Sequence, residues 1–223
     1  MNCAICGVRK PKRHCVAVNG DICSVCCGTE REQSIDCPFH CDYLREAHKH
    51  ERPRALDPAS IPNADIEIPD EFLQENEWLV VLLGSAVVDG AQQVTGAKDL
   101  DIREALESLM LFYRGRAPEA AGPLAETVRA RVEDIRARIV KAYEADTSED
   151  KPDAGAMQLT DERVLRVVAF LQRLELSHNN GRAFSRAYLD FLTQFHAPMP
   201  AVEEFSTTEA TETVEPTGPA NIP

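Results

Sequence analysis

Apolar residues recur at helical spacing along most of the chain from residue 70 onward. The clearest stripe comprises Ile102, Ala105, Leu106, Leu109, Met110 and Tyr113. Steps of three or four residues place such side chains on one face, which is typical of an amphipathic helix. Asp101, with Glu104 three residues later, predicts the N-cap of this helix, and Arg114-Gly115 predicts its end.

The same spacing predicts four further helices in this part of the chain. Their apolar stripes are Phe72, Leu79, Val80, Leu83 and Val87; Leu124, Val128, Val132, Ile135, Ile139 and Tyr143; Val164, Val167, Val168, Leu171 and Leu174; and Phe184, Ala187, Tyr188, Phe191, Leu192 and Phe195. The run from Trp78 to Leu83 also fits a buried strand, but its length and the lack of partner strands favour a helix. Thr160 predicts an N-cap, and residues 178–181 predict a turn. We therefore expect an all-α bundle of about five helices.

Proline and charge divide the chain into four parts. Pro53, Pro58, Pro62 and Pro69 do not fit a helix interior, so residues 55–69 are predicted to be a linker. It separates an amino-terminal module, residues 1–54, from the helical domain, residues 70–196. An acidic linker is predicted at 146–156. Residues 197–223 are rich in Pro, Thr and Glu and contain no Lys or Arg, so we expect a disordered acidic tail.

The negative charge lies outside the amino-terminal module. The chain carries a net charge of −13, yet its first 56 residues hold nine Lys or Arg against seven Asp or Glu. Phosphate backbones are bound mainly by clustered Lys and Arg. The charge balance therefore argues against general affinity for nucleic acid.

All eight cysteines of the chain lie within its first 41 residues, and this changes the prediction for the module. Two C-x-x-C pairs, Cys3 with Cys6 and Cys23 with Cys26, are separated by 16 residues. Paired thiolates at this spacing can face one ion, and a glycine after the pair permits the turn that directs backbone N–H groups at sulfur. Two such pairs predict a structural zinc site.

Four cysteines remain after one tetrahedral site is filled, so a second zinc is predicted. Neighbouring Cys26 and Cys27 project in different directions, which favours one for each site. We assign Cys3, Cys6, Cys23 and Cys26 to the first zinc, and Cys15, Cys27, Cys37 and Cys41 to the second. The roles of Cys26 and Cys27 can be exchanged. His14 or His40 can also replace a neighbouring cysteine, because imidazole binds zinc as well.

The cysteine pattern resembles the cross-braced zinc fingers of the HIT and MYND type. The matching residues are Cys3-x-x-Cys6, Cys15, Ile22-Cys23-Ser-x-x-Cys27 and Cys37-x-x-x-Cys41. The chain departs from that pattern at Val18, where those fingers have a ligand. The segment 22–43 is similar to that of uncharacterised bacterial proteins that join a cysteine-rich start to a helical remainder, and this resemblance extends to Phe195. It implies a zinc-binding module and no particular activity.

Three other uses of the cysteines fit the sequence less well. A disulfide framework belongs to small secreted chains, whereas this chain has no secretion signal before Cys3. A redox C-x-x-C pair usually lies in a βαβ setting, which is not predicted here. An iron–sulfur cluster also uses four cysteines and stays open as an alternative.

The predicted function is that of a non-catalytic protein-interaction adaptor or scaffold in the cytoplasm. The alternative is a nucleic-acid-binding regulator, based on the basic run 9–13 and on Arg182 and Arg186. Catalysis is not expected, because eight cysteines close both zinc sites, and His48, His50, His178 and His196 have no visible partners. No apolar run reaches the 18 residues of a membrane span, so no membrane partner is expected.

Overall fold

The computed structural model describes residues 2–116, 122–146 and 158–195, and within them the chain is mostly helical. Eight α-helices and one antiparallel pair of strands are found there: β1 Arg13–Cys15, β2 Gly20–Ile22, α1 Ser24–Glu30, α2 Asp42–His48, α3 Asp70–Glu75, α4 Glu77–Gln93, α5 Asp99–Tyr113, α6 Pro123–Ala145, α7 Asp161–His178 and α8 Ala187–Thr193. The predicted acidic tail and all but Asp146 of the acidic linker lie outside the described residues.

One continuous apolar core holds the helices α3 to α8 together. Helices α4 and α5 each pack against α6 and α7, and α8 packs against α4, α5 and α7. Their buried side chains include Leu83, Ile102, Leu106, Leu109, Val132, Val167, Leu171 and Tyr188. The predicted stripes therefore face a shared interior over most of their length, but Phe195, the last residue of the last stripe, is 57% exposed. Burial of such side chains is the main favourable contribution to folding.

Two helix starts differ from the sequence prediction. Helix α5 begins at Asp99 after an N-cap at Lys98, so the prediction of Asp101 as the N-cap is wrong by three residues. Asp101 occupies the third helical position, where its carboxylate accepts the backbone N–H of Lys98 at 2.8 Å. Helix α8 begins only at Ala187, so Phe184 precedes it. Thr160 does cap α7, accepting the backbone N–H of Arg163 at 3.3 Å.

The predicted linker, residues 55–69, follows the surface of α7. Apart from a single 3-10 turn at Pro58–Ser60 it contains no helix. Side chains attach it, since Asn63 donates to the Gln172 amide oxygen at 2.8 Å and Arg173 donates to the Ile66 carbonyl at 2.8 Å. Among the described helices, none is long and apolar enough to cross a membrane.

Candidate metal centre

Four of the cysteines lie close enough to hold one metal ion. The sulfur atoms of Cys3, Cys6, Cys23 and Cys26 are all within 4.8 Å of one another. Three of the four residues are buried, and Cys6 is partly exposed. Cys26, and not Cys27, belongs to this group. The structure therefore places a four-sulfur cluster where the two C-x-x-C pairs meet.

Local backbone structure brings the two pairs together. Cys3 and Cys6 enclose a turn in which the Gly7 N–H donates to the Cys3 carbonyl at 2.8 Å, and Gly7 has a φ of 65°. The second pair straddles the start of α1, with Cys23 as its N-cap. The β1–β2 hairpin joins these parts, because Ala4 donates to the Asp21 carbonyl at 2.8 Å. The predicted glycine turn is thus present at the first pair.

Hydrogen bonds to sulfur prepare this cluster for negative charge. Burial alone would raise the pKa of Cys3, but backbone N–H donors from Cys6, Cys23 and Ile5 outweigh it and lower that pKa to about 6. Burial and the neighbouring sulfurs instead raise the pKa of Cys26 to about 12. Without a cation, burial and the neighbouring sulfurs therefore oppose the thiolate form of Cys26. A bound metal ion would supply the missing positive charge.

The donor set fits a soft divalent ion in a closed site. Four thiolates this close together suit zinc and also iron in a cluster. The Arg9 guanidinium donates to the Cys23 sulfur, and this bond raises the pKa of Arg9. Such an outer donor helps to stabilise charge on ligating sulfur. The structure thus shows a tetra-cysteine site that is able to hold a metal ion.

The other four cysteines share a pocket but are less closely grouped. Cys15, Cys27, Cys37 and Cys41 line a cavity of about 210 Å³, together with His14 and His40. All four lie in the described part of the chain, yet they do not form a group within 4.8 Å like the first. Burial is the main reason that the pKa of Cys37 rises to about 11. His14 Nδ1 lies 3.1 Å from an Asp21 carboxylate oxygen.

Sequence reasoning missed a buried charged residue beside this second set. Glu32 is fully buried, and its backbone N–H donates to the Cys37 sulfur. One carboxylate oxygen of Glu32 lies 3.1 Å from His48 Nε2, and the other accepts the Arg186 N–H at 2.6 Å. Its carbonyl accepts the Phe184 N–H at 2.8 Å. Glu32 therefore connects the cysteine region directly to the segment before α8.

The expectation that His48 lacks partners is wrong. Its Nδ1 lies 3.1 Å from an Asp190 carboxylate oxygen, so the imidazole bridges Asp190 and Glu32. Burial would lower the pKa of His48, but the two carboxylates outweigh it and raise that pKa to about 9. The same contacts outweigh burial at Glu32 and lower its carboxyl pKa. At neutral pH an imidazolium therefore stands between two carboxylates.

Arg186 is a second buried link between the two regions. It is 3% exposed, and its guanidinium donates to Asp36 and to the Cys37 carbonyl, both at 2.7 Å, and to the Gly96 carbonyl at 3.0 Å. No local pattern reveals this role, because the partners lie 90 to 150 residues apart in sequence.

The Glu32, His48 and Glu51 side chains also come within 4.8 Å of one another. However, the oxygen and nitrogen atoms that would bind a metal already take part in hydrogen bonds. The Asn180 amide nitrogen donates to Glu32 at 2.8 Å and reaches Glu51 at 3.3 Å. Its amide oxygen accepts the Arg182 N–H at 3.0 Å, which fixes its orientation. The amide and the imidazolium satisfy these carboxylates, so we assign no metal to this group.

Comparison of the chain with known protein families, with curated proteins and with solved structures finds no match.

Proposed function

We propose that the chain is a zinc-binding, non-catalytic adaptor that binds a protein partner through its cysteine-rich module. The metal part of the proposal is supported by the four-sulfur cluster, whose donors would fill the coordination sphere of zinc and leave no position for a substrate. The second cysteine set is proposed to hold a second zinc once its sulfurs converge. A reducing compartment such as the cytoplasm would keep these thiols available.

The exposed apolar side chains of the module carry the interaction part of the proposal. Ten large apolar residues in the described chain are exposed, and five of them lie in the module: Ile5, Val8, Val16, Val25 and Tyr43. Val8 and Val16 are 80% and 69% exposed. Because the module has a small apolar interior, the exposure of five large apolar side chains on it favours a surface that a protein partner covers.

A paired substitution tests this surface without removing metal. Val8→Ser with Val16→Ser should retain about two zinc ions per chain, measured by elemental analysis, because neither side chain belongs to a buried cluster. Partner capture in an affinity purification at moderate salt, with nuclease treatment, should fall sharply. Trp78→Ser is the matched control, since Trp78 is 46% exposed and lies outside the module. Equal capture by both variants would refute the proposed surface.

The nucleic-acid alternative has fewer available side chains than its sequence suggests. Arg186 is buried among its partners, and Arg9 donates to a cysteine sulfur. Arg13 lies over the Tyr43 ring at 4.0 Å from its centroid. Replacing Lys10 and Lys12 by alanine distinguishes the two functions, because it leaves in place the two arginines that donate to cysteine sulfur, Arg9 and Arg13. A regulator would lose nucleic-acid binding and up to about two units of its salt dependence, whereas an adaptor would retain its protein partner.

A further inference from the structure

A cleft of about 770 Å³ opens between α2 and α8, away from the cysteine cluster. Its walls come from the end of α2, the chain that follows it to Arg54, the turn after α7 and the exposed side of α8. His178 and Phe191 stack in this wall with ring centroids 3.6 Å apart. Small-molecule sites commonly occupy clefts of roughly 300 to 1,000 Å³. The cleft is thus of a size that suits a small ligand.

Three guanidinium groups of the cleft have no carboxylate partner among the described residues. Arg54 donates to the Asn180 carbonyl, and Arg182 donates to the Arg31 carbonyl. Arg52 has no side-chain hydrogen bond or ion pair within the described chain. Elsewhere in this acidic protein many arginines form ion pairs, such as Arg103 with Glu175. The cleft therefore brings together three guanidinium groups that no carboxylate of the described chain pairs with.

The carboxylates in the same wall are fewer than its cations. Asp190 lies between His48 at 3.1 Å and Arg45 at 3.8 Å, so its charge is balanced. Glu51 accepts from the neutral Asn180 amide and keeps its charge. One unbalanced carboxylate therefore stands in the cleft against the three guanidinium groups of Arg52, Arg54 and Arg182. A ligand that carries negative charge would balance the rest.

The turn after α7 is built to allow the approach of Arg54. Gly181 has a φ of 74°, and a Cβ at this position would lie 2.7 Å from Arg54 Nη2. Only glycine adopts this conformation without strain and also leaves room for the guanidinium. Because the Arg54 N–H also donates to the Ser177 carbonyl at 2.8 Å, the end of the module is fixed against α7. The position of this arginine is thus set by the fold.

We propose that this cleft binds a small phosphate-bearing ligand through Arg52, Arg54 and Arg182. Planar guanidinium groups bind phosphate oxygens through paired N–H donors, which a single ammonium group cannot reproduce. The limited volume of the cleft favours a small molecule over a long polymer, because a polymer-binding groove has to continue across the surface. The site uses no cysteine and is independent of the adaptor function proposed above.

Calorimetric titration of the full, metal-loaded chain tests the site with ADP as the probe and adenosine as the phosphate-free control. The buffer contains neither phosphate nor sulfate. ADP should bind to one site per chain, and adenosine should bind at least about tenfold more weakly, because it lacks charge-assisted hydrogen bonds to the guanidinium groups. An absence of saturable ADP binding, or equal affinity for adenosine, would overturn the proposal.

Two charge reversals separate a local contact from a general charge effect. Arg52→Glu should weaken ADP binding by about tenfold or more, since it places a carboxylate in the cleft. Lys12→Glu makes the same charge change on the exposed basic run of the module and should alter binding by less than about twofold in 0.15 M salt. Circular dichroism and zinc content should be unchanged in both. Equal losses of ADP affinity in the two variants would rule out a small phosphate site. The same conclusion would follow if the chain bound a ten-nucleotide single strand but did not bind ADP.

Discussion

The cysteine region and the helical region are folded by different means. In the helical region, α3 to α8 share one continuous apolar core. In the cysteine region the buried residues form two small clusters, in which cysteines outnumber the aliphatic residues Ile22, Ile35 and Leu44. A core of that size supplies little stability, and a metal held by the tetra-cysteine site would supply most of the remainder. The comparison teaches that apolar packing is enough for one region, whereas the other buries mostly cysteine and would depend on a bound metal.

The contact between these two regions depends neither on cysteine sulfur nor on apolar packing. Glu32, His48, Arg186 and Asp190 join them through buried charges and hydrogen bonds. Such groups are costly to bury unless each is paired, so a movement that separated these partners would be unfavourable. The junction therefore favours the observed position of the cysteine region on α8.

The largest effect is expected from removing one sulfur of the first cluster. Cys3→Ser should release the first metal and unfold the cysteine region, because metal binding to small modules contributes on the order of 10 kcal/mol of folding free energy. Elemental analysis should show the loss of at least one zinc from about two, and circular dichroism should retain most of the helical signal. A folded, fully metallated Cys3→Ser variant would contradict a structural metal site.

A core truncation should produce the converse result. Leu109 is fully buried in α5, so Leu109→Ala should lower the free energy of unfolding of the helical region by about 4 kcal/mol through lost transfer energy and a new cavity. Zinc content should not change. Leu111→Ala is the control, because Leu111 is 46% exposed on the same helix and its truncation should cost less than about 1 kcal/mol. Loss of zinc from the Leu109 variant would show that the two regions fold as one unit.

At the junction, a neutral side chain of equal shape tests the buried charge. Glu32→Gln should lower the free energy of unfolding by about 3 kcal/mol, since it leaves the His48 imidazolium with one carboxylate instead of two. Denaturant unfolding of the metal-loaded chain measures this cost. Glu51→Gln changes an exposed member of the same group and should stay within about 0.5 kcal/mol. Comparable losses of stability in both variants would show that the burial of Glu32 does not determine the cost.

Local signals predicted the parts of the structure that local forces determine. The spacing of the cysteines indicated the first cluster, apolar periodicity indicated the helices, and Thr160 indicated the start of α7. The Glu32–Arg186 and His48–Asp190 contacts join residues 154 and 142 positions apart, and no periodicity encodes such pairs. Glu32 resembles any solvated glutamate in sequence, and only the tertiary fold buries it. Arg182 was singled out only for nucleic acid, and its place in the cleft with Arg52 was missed for the same reason, since these two residues line one cleft only through the packing of α2 on α8.

The smallest effect is a pH dependence that arises at the junction alone. His48 faces Glu32 and Asp190 directly, with Glu51 nearby and Arg45 on the far side of Asp190. These carboxylates raise its pKa from the usual 6.5 to about 9 in the folded chain. Because the folded pKa lies above the unfolded one, the stabilisation is complete below about pH 6.5 and is lost as the pH rises through 9.

Denaturant unfolding of the metal-loaded chain at pH 7 and pH 10 measures this contribution. We expect a loss of about 2 kcal/mol over that interval from His48 deprotonation, since a shift of one pKa unit corresponds to about 1.4 kcal/mol and neighbouring groups share the proton balance. His48→Gln provides the control, because it keeps a hydrogen-bonding side chain but has no proton to lose. Titration of lysine and tyrosine groups affects both proteins alike, so the difference between them isolates the imidazole. Equal pH dependence in the two proteins would show that His48 is neutral between its carboxylates, and the junction would then be held by Arg186 and not by a buried imidazolium.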